Sequence, residues 1–195
     1  MMNLKELLKK NRSYRGYDES YAFTREELAE FVDHTRYAAS SMNAQPLCYY
    51  LAYKKEQLDT IQPLTGWAGS LPQLSLPYEG KRPTGFIIIC QNTDIFENVA
   101  RFQKDVGIAA EAILLAATEA GLGGIMIGNC SSEKLADALR LPKNIVPVLV
   151  LALGKPNEKI VITDLADEKG IHYYRDGQDV HYVPKRSLED ILVDE

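Results

Sequence analysis

The stretch AAEAILLAATEAGLGGIMIG, residues 109–128, holds a helix, its end and the start of a strand. The helix extends back to about Arg101. Val106, Ile108, Ile113, Leu114 and Leu115 make it apolar on nearly every face, which predicts a place in the middle of the molecule. Gly121 reads as its C-cap, because glycine takes the left-handed conformation that ends helices without steric cost. GIMIG (124–128) is then a short strand. The order of these pieces excludes a familiar reading of AGLGG (120–124). In a Rossmann or P-loop site the glycines follow a strand and open a helix, whereas here they close a helix and enter a strand. Gly123 and Gly124 stay available to bring backbone N–H groups against a flat ligand.

Outward from this stretch, helices and strands alternate. Asn3 with Glu6, and Thr24 with Glu27, form capping-box patterns ahead of two amphipathic helices, the second reaching about Tyr37. CYYLAY (48–53) and GFIIICQ (85–91) have the composition of strands, KKEQLDTI (54–61) suits a helix, and Ser131 or Ser132 can cap a helix through Leu139. VPVLVLALG (146–154) is a near-continuous apolar strand, with Pro147 at its start where proline is tolerated. Residues 62–84, rich in Pro and Gly and holding Trp67, read as a mobile lid segment whose tryptophan either stacks on a flat acceptor or packs on a partner subunit. Residues 157–184 show no clear period.

The chain has 195 residues, of which 46% are hydrophobic, enough for one domain over 1–195 with a real core. Its net charge is −5, and its lysines and arginines are scattered, which argues against a nucleic-acid partner. The N-terminus lacks the apolar core of a signal peptide, and the most apolar helix is interrupted by Glu111, so a cytoplasmic protein away from membranes is expected. Cys48, Cys90 and Cys130 read as reduced core thiols. His34, His172 and His181 lack metal-ligand spacing and read as surface or satisfied side chains, with no metal expected.

Against this acidic background the segment NRSYRGY (11–17) concentrates cations. Arg12, Ser13 and Arg15 offer two guanidinium forks and a hydroxyl, a set suited to phosphate, although a solvated helix C-terminus would also favour cations there. SSMNAQP (40–46) is dense in hydroxyl and amide groups that could bind a polar ring or form an ordinary turn. Lys185 and Arg186 form a basic pair near the C-terminus.

Taken in order, these clusters resemble the nitroreductase family of FMN enzymes. An arginine-rich RRSxR motif is answered by Asn11, Arg12, Ser13 and Arg15, and PSxxNxQPW by AASSMNAQPL. GLGxxWIG is answered by GLGGIMIG, PVxxxxxLGxP by PVLVLALGKP, and the basic motif ahead of LEE by PKRSLED. The departures are Asn11 for the first arginine, Ala39 for proline, Leu47 for tryptophan, and Ile125–Met126 for a polar-Trp pair.

The resemblance implies an α+β fold, a mixed, mainly antiparallel sheet around a buried central helix, in an interlocked homodimer with FMN at the interface. It implies that Arg12, Ser13, Lys185 and Arg186 hold the FMN phosphate, and that Arg15 lies toward the ribityl chain and the N1–C2 edge. Ser40, Ser41, Asn43 and Gln45 would reach the flavin from the other subunit, and the Gly123, Gly124 and Ile125 backbone would approach N5. It further implies ping-pong hydride transfer from NADH or NADPH to a nitroaromatic, quinone or enone, with no side chain needed as acid, base or nucleophile. Rival readings are a flavin sensor or carrier without turnover, and a specialised FMN dehydrogenase or dehalogenase of the same fold.

Overall fold

The computed structural model describes residues 2–165 and 170–193. The capping boxes form as the sequence predicts. Asn3 caps α1 (Leu4–Lys10) and Thr24 caps α2 (Arg25–Asp33), each side chain accepting from the N3 backbone while the N3 glutamate accepts from the cap N–H. α2 runs on into a short 3-10 turn at His34–Tyr37.

Four of the strands set the frame. β2 (Leu47–Ala52), β3 (Gly85–Asn92), β4 (Gly123–Ile127) and β5 (Ile145–Pro156) pair antiparallel, with β5 between β3 and β4. A two-residue strand, β1 (Tyr17–Asp18), joins the far end of β5. Side chains alternate across this sheet and build two cores. Ile87, Ile89, Leu151 and Leu153 face α2 and the long helix α4 (Gln103–Glu119). Phe86, Ile88, Val150 and Ala152 face the other way, against Ile61 of α3 (Lys55–Ile61) and Leu135 of α5 (Ser132–Ala138). Ser131 caps α5, accepting from Lys134 N.

α4 ends as its sequence predicts. Gly121 has φ +80°, its N–H donates to Thr118 O and that of Leu122 to Ala117 O, the paired bonds of a Schellman cap. Much of the helix is buried, as expected, and one side is open within the single chain. Within a single chain α4 lies on one face of the sheet, with Val106, Ala110, Ile113 and Ala117 buried and Gly107 and Ile108 exposed, Ile108 by 43%. Leu4 and Leu8 of α1 and Tyr37 are exposed as well.

The 157–184 region is more regular than its sequence implied. β6 (Ile160–Asp164), β7 (Tyr174–Arg175) and β8 (His181–Lys185) form a second sheet, with β8 parallel to β6 and antiparallel to β7. Residues 166–169 lie outside the described residues. The 62–84 segment is irregular after a 3-10 turn at Gln62–Leu64, yet it is tied down. Ala68, Leu71 and Thr84 are buried, and Trp67 packs on this chain's own second core while donating from Nε1 to Thr65 Oγ1 at 2.9 Å.

Candidate active site: two clefts on one helix

The NRSYRGY segment leaves α1 and runs alongside β4, where Ser13 bridges Gly124 and Tyr14 N donates to Gly124 O. Between this segment, α4, β4 and the second sheet lies a cleft of about 320 Å³. Arg12, Ser13, Arg15, Gly124 and Lys185 line it, together with Glu111 and Leu114 of α4. Arg12 donates from Nη2 to Leu8 O, the end of α1, at 2.7 Å. Arg15 is buried. Its Nη1 donates to Ser13 O at 3.0 Å, its guanidinium lies 4.8 Å from the Tyr173 ring centroid, and its backbone N–H donates to Glu158. Glu158 also pairs with the buried Arg175.

The Nε atoms of Arg12 and Arg15 are buried without a hydrogen-bond partner among the described residues. Burial pushes both guanidinium pKa values down from their ordinary range, Arg12 chiefly through desolvation and Arg15 likewise. Two desolvated cations with unmet donors are complementary to an anion that supplies acceptors.

A second cleft, of about 200 Å³, opens near the other end of α4, lined by Ser40, Asn43, Gln45, Asp105 and Ala109 among others. Here the polar groups are met within the chain. Asp105, buried in the first turn of α4, accepts from Ser40 Oγ and Ser41 N, both at 2.8 Å. Gln45 N donates to Ser40 Oγ, and Gln45 Nε2 to Asn43 Oδ1. Met42, Asn43 and Gln45 all have positive φ, between 48° and 57°, a costly conformation for residues with a Cβ and one that clusters at functional sites.

The residues singled out from sequence thus divide. The first cleft gathers Arg12, Ser13, Arg15, Gly124 and Lys185; the second gathers Ser40, Asn43 and Gln45. Ser41, Gly123, Ile125 and Arg186 line neither cleft. Ile125 is buried in the second core, and Arg186 lies exposed just past β8. The two glycines are also needed by the chain itself. A Cβ at Gly123 would meet the Tyr14 ring at 2.6 Å, and one at Gly124 would meet Ala152 O at 2.6 Å and Leu114 Cδ2 at 2.7 Å. Asp105 and Tyr173 escaped the sequence reading, and His181 was not singled out as a site residue. Of these only Asp105 left a trace, as an acid in a helix's first turn. His181 corrects an expectation, since it is neither exposed nor satisfied: it is 1% exposed with Nδ1 unpartnered among the described residues. The cysteines are free as expected, and burial pushes the Cys90 thiol up to about 12. No metal-ligating cluster occurs among the described residues, and among them no helix is long and apolar enough to cross a membrane.

The family model described as the nitroreductase family matches residues 8–72 and 96–155. The chain belongs to the nitroreductase family. Its two matched blocks contain α4, β4, the arginine segment and the 40–45 loop, so both clefts fall on family sequence for the most part. The enzyme class implied by the motifs, an oxidoreductase, is that of the family. A protein of Methanothermobacter thermautotrophicus, provisionally described as an NADH dehydrogenase/NAD(P)H nitroreductase, is 27% identical over 180 residues, covering 88% of this chain and 86% of its own. A Bacillus subtilis protein described as an NAD(P)H-dependent FMN reductase is also 27% identical, covering 76% of this chain and 64% of its own. Among solved structures, a provisionally described nitroreductase of Exiguobacterium sibiricum in complex with FMN has a TM-score of 0.67 at 20% identity, over 81% of this chain and 90% of that one. At that identity it shows the α+β nitroreductase fold.

Proposed function

We propose that the protein is an FMN-dependent oxidoreductase that passes hydride from NADH or NADPH to an electron-poor small molecule such as a nitroaromatic, a quinone or an enone. The observation that carries this reading is the first cleft. Arg12, Arg15 and Lys185 converge on it, and the Nε atoms of both arginines lack a partner among the described residues, which fits a ligand with a terminal phosphate. The names of the relatives, which mention FMN and NAD(P)H, support the same cofactor and reductant.

FMN would supply the hydride-accepting ring. Arg12, Ser13 and Lys185 would hold the phosphate, and Arg15 would place positive charge toward the ring. Glu111 also lines the cleft, held by Asn11 Nδ2 at 3.0 Å, and its one negative charge is outnumbered by Arg12, Arg15 and Lys185. The side chains at the cleft bind and orient, and none is required to move a proton.

The working unit would be a homodimer. The exposed apolar side of α4 and α1 supports a second copy, and the separation of the two clefts supports a site in which Ser40, Ser41, Asn43 and Gln45 come from the other subunit. The test is direct. Purified protein should be yellow, release FMN rather than FAD on denaturation, bleach on addition of NAD(P)H and recolour with a quinone. Failure to take up added FMN would sink the reading; uptake without bleaching would leave a flavin carrier.

A further inference from the structure

His181 stands at the start of β8, paired with Ile160 and Arg175 on either side, and its side chain lines the first cleft. Its Nε2 lies 3.3 Å from Arg15 Nη1. Arginine has only donors, so the contact is a hydrogen bond only when Nε2 presents its lone pair. The imidazole is then neutral, and its single proton sits on Nδ1. Its surroundings agree with that state. Arg15 from the N-terminal segment and Arg175 from β7 disfavour a cation, opposed by Asp179 in the turn before β8, while the Tyr173 ring packs 5.2 Å away. Burial first, then the two guanidinium groups, hold the ring's pKa down to about 4.

The Nδ1–H is therefore a buried donor, and it has no acceptor among the described residues. It is not alone. The Nε groups of Arg12 and Arg15 are unmet in side chains that line the same cleft. Three unmet donors, two from the 11–17 segment and one from β8, all on side chains at one cleft, are what a single acceptor-rich ligand would satisfy.

We infer that His181 is a positioning and binding residue of the cofactor site: its Nε2 fixes the Arg15 guanidinium, and its Nδ1–H donates to an oxygen of the cofactor. That oxygen belongs either to the phosphate or to a ring carbonyl. The inference rests on the FMN reading, and the experiment separates the two.

The full chain, labelled with 15N-histidine, is followed by NMR with inorganic phosphate, riboflavin or FMN. The signal of His181 among three histidines is the one lost in His181→Gln. Before ligand, the ring should be the neutral Nδ1–H tautomer. With FMN, the Nδ1 proton should move downfield as it gains an acceptor; the same shift with phosphate alone assigns the phosphate oxygen, and with riboflavin the ring carbonyl. Quenching of flavin fluorescence should show FMN affinity falling about 10- to 100-fold in His181→Phe. His181→Gln, which keeps an acceptor for Arg15, should recover part of the loss. An Nε2–H tautomer, an Nδ1 proton unmoved by bound FMN, or unchanged affinity in a folded His181→Phe would overturn the inference while FMN binding stands. Wild-type protein that binds no FMN would instead overturn the FMN reading, and this inference with it. The wild-type NMR arm decides even if the phenylalanine variant does not fold.

Discussion

Around Arg12 and Arg15 two buried guanidinium donors, the Nε atoms, lack a partner among the described residues, whereas around Ser40 and Gln45 the polar atoms are largely exposed and already paired within the chain. The first region has the cost of desolvation built in and recovers it only when a ligand arrives. The second stores its cost in backbone conformation, three residues at positive φ in a loop whose start, Ser40 and Ser41, is anchored on the buried Asp105 carboxylate. On the proposed function, one would be a receptor completed by a ligand. The other is a preset surface that needs something to press against. Both stand on α4, which in the proposed dimer would make that helix the part common to binding and assembly.

If the two regions work together only across a dimer, then the largest effect should come from parting the subunits. Ile108→Asp would place a charge twice in a symmetric apolar contact, at a cost on the order of 4 kcal/mol. The expected result is a folded monomer by light scattering, with FMN lost. Retention of FMN by a monomer would show that the first cleft suffices alone. Next in size is Arg15→Ala, which removes a charge-assisted donor worth about 1.5–3 kcal/mol, so FMN affinity should fall by about 10- to 100-fold with the dimer intact. Asp105→Ala acts on the other region. It frees Ser40 Oγ and Ser41 N and should cost about 2 kcal/mol in thermal or chemical unfolding, with a smaller loss of FMN affinity.

The smallest effect concerns pH. His181 has its folded-state pKa lowered to about 4 from an ordinary 6.5, so the unfolded chain binds the extra proton first. The apo protein should hold this contribution in full above about pH 6.5 and lose it as pH falls toward 4. The loss should be about 1–2 kcal/mol, reduced by water in the cleft. In His181→Gln the same titration should lack that step, and a wild-type curve without it would place the proton elsewhere.

Much of the frame was legible because its signals are local. A capping box declares itself within four residues, as at Asn3–Glu6 and Thr24–Glu27, and Gly121 marks a helix end by its own conformational freedom. The arginine segment and the 40–45 loop were legible as motifs. What stayed hidden depends on distant partners. Asp105 matters because a loop some 64 residues earlier hangs on it. β8 pairs with β6 and β7, and His181 is buried by that sheet, by the Tyr173 ring and by Arg15, 166 residues away. The side of α4 that sequence placed inside is bare in one chain for the complementary reason. Apolar composition marks a face suited to burial, and says nothing about whose atoms would cover it.

Ile108 has one more consequence. It lies three residues after Asp105 and three before Glu111, the positions where α4 meets the second and the first cleft. In the proposed dimer, a two-fold axis through Ile108 that crosses the helices antiparallel would set position 105 of one copy beside position 111 of the other, each about 4.5 Å along the helix from the crossing. Separation within one chain would thereby become adjacency between two. A single exposed isoleucine would serve as the fulcrum that makes two half-sites into a symmetric pair of whole ones.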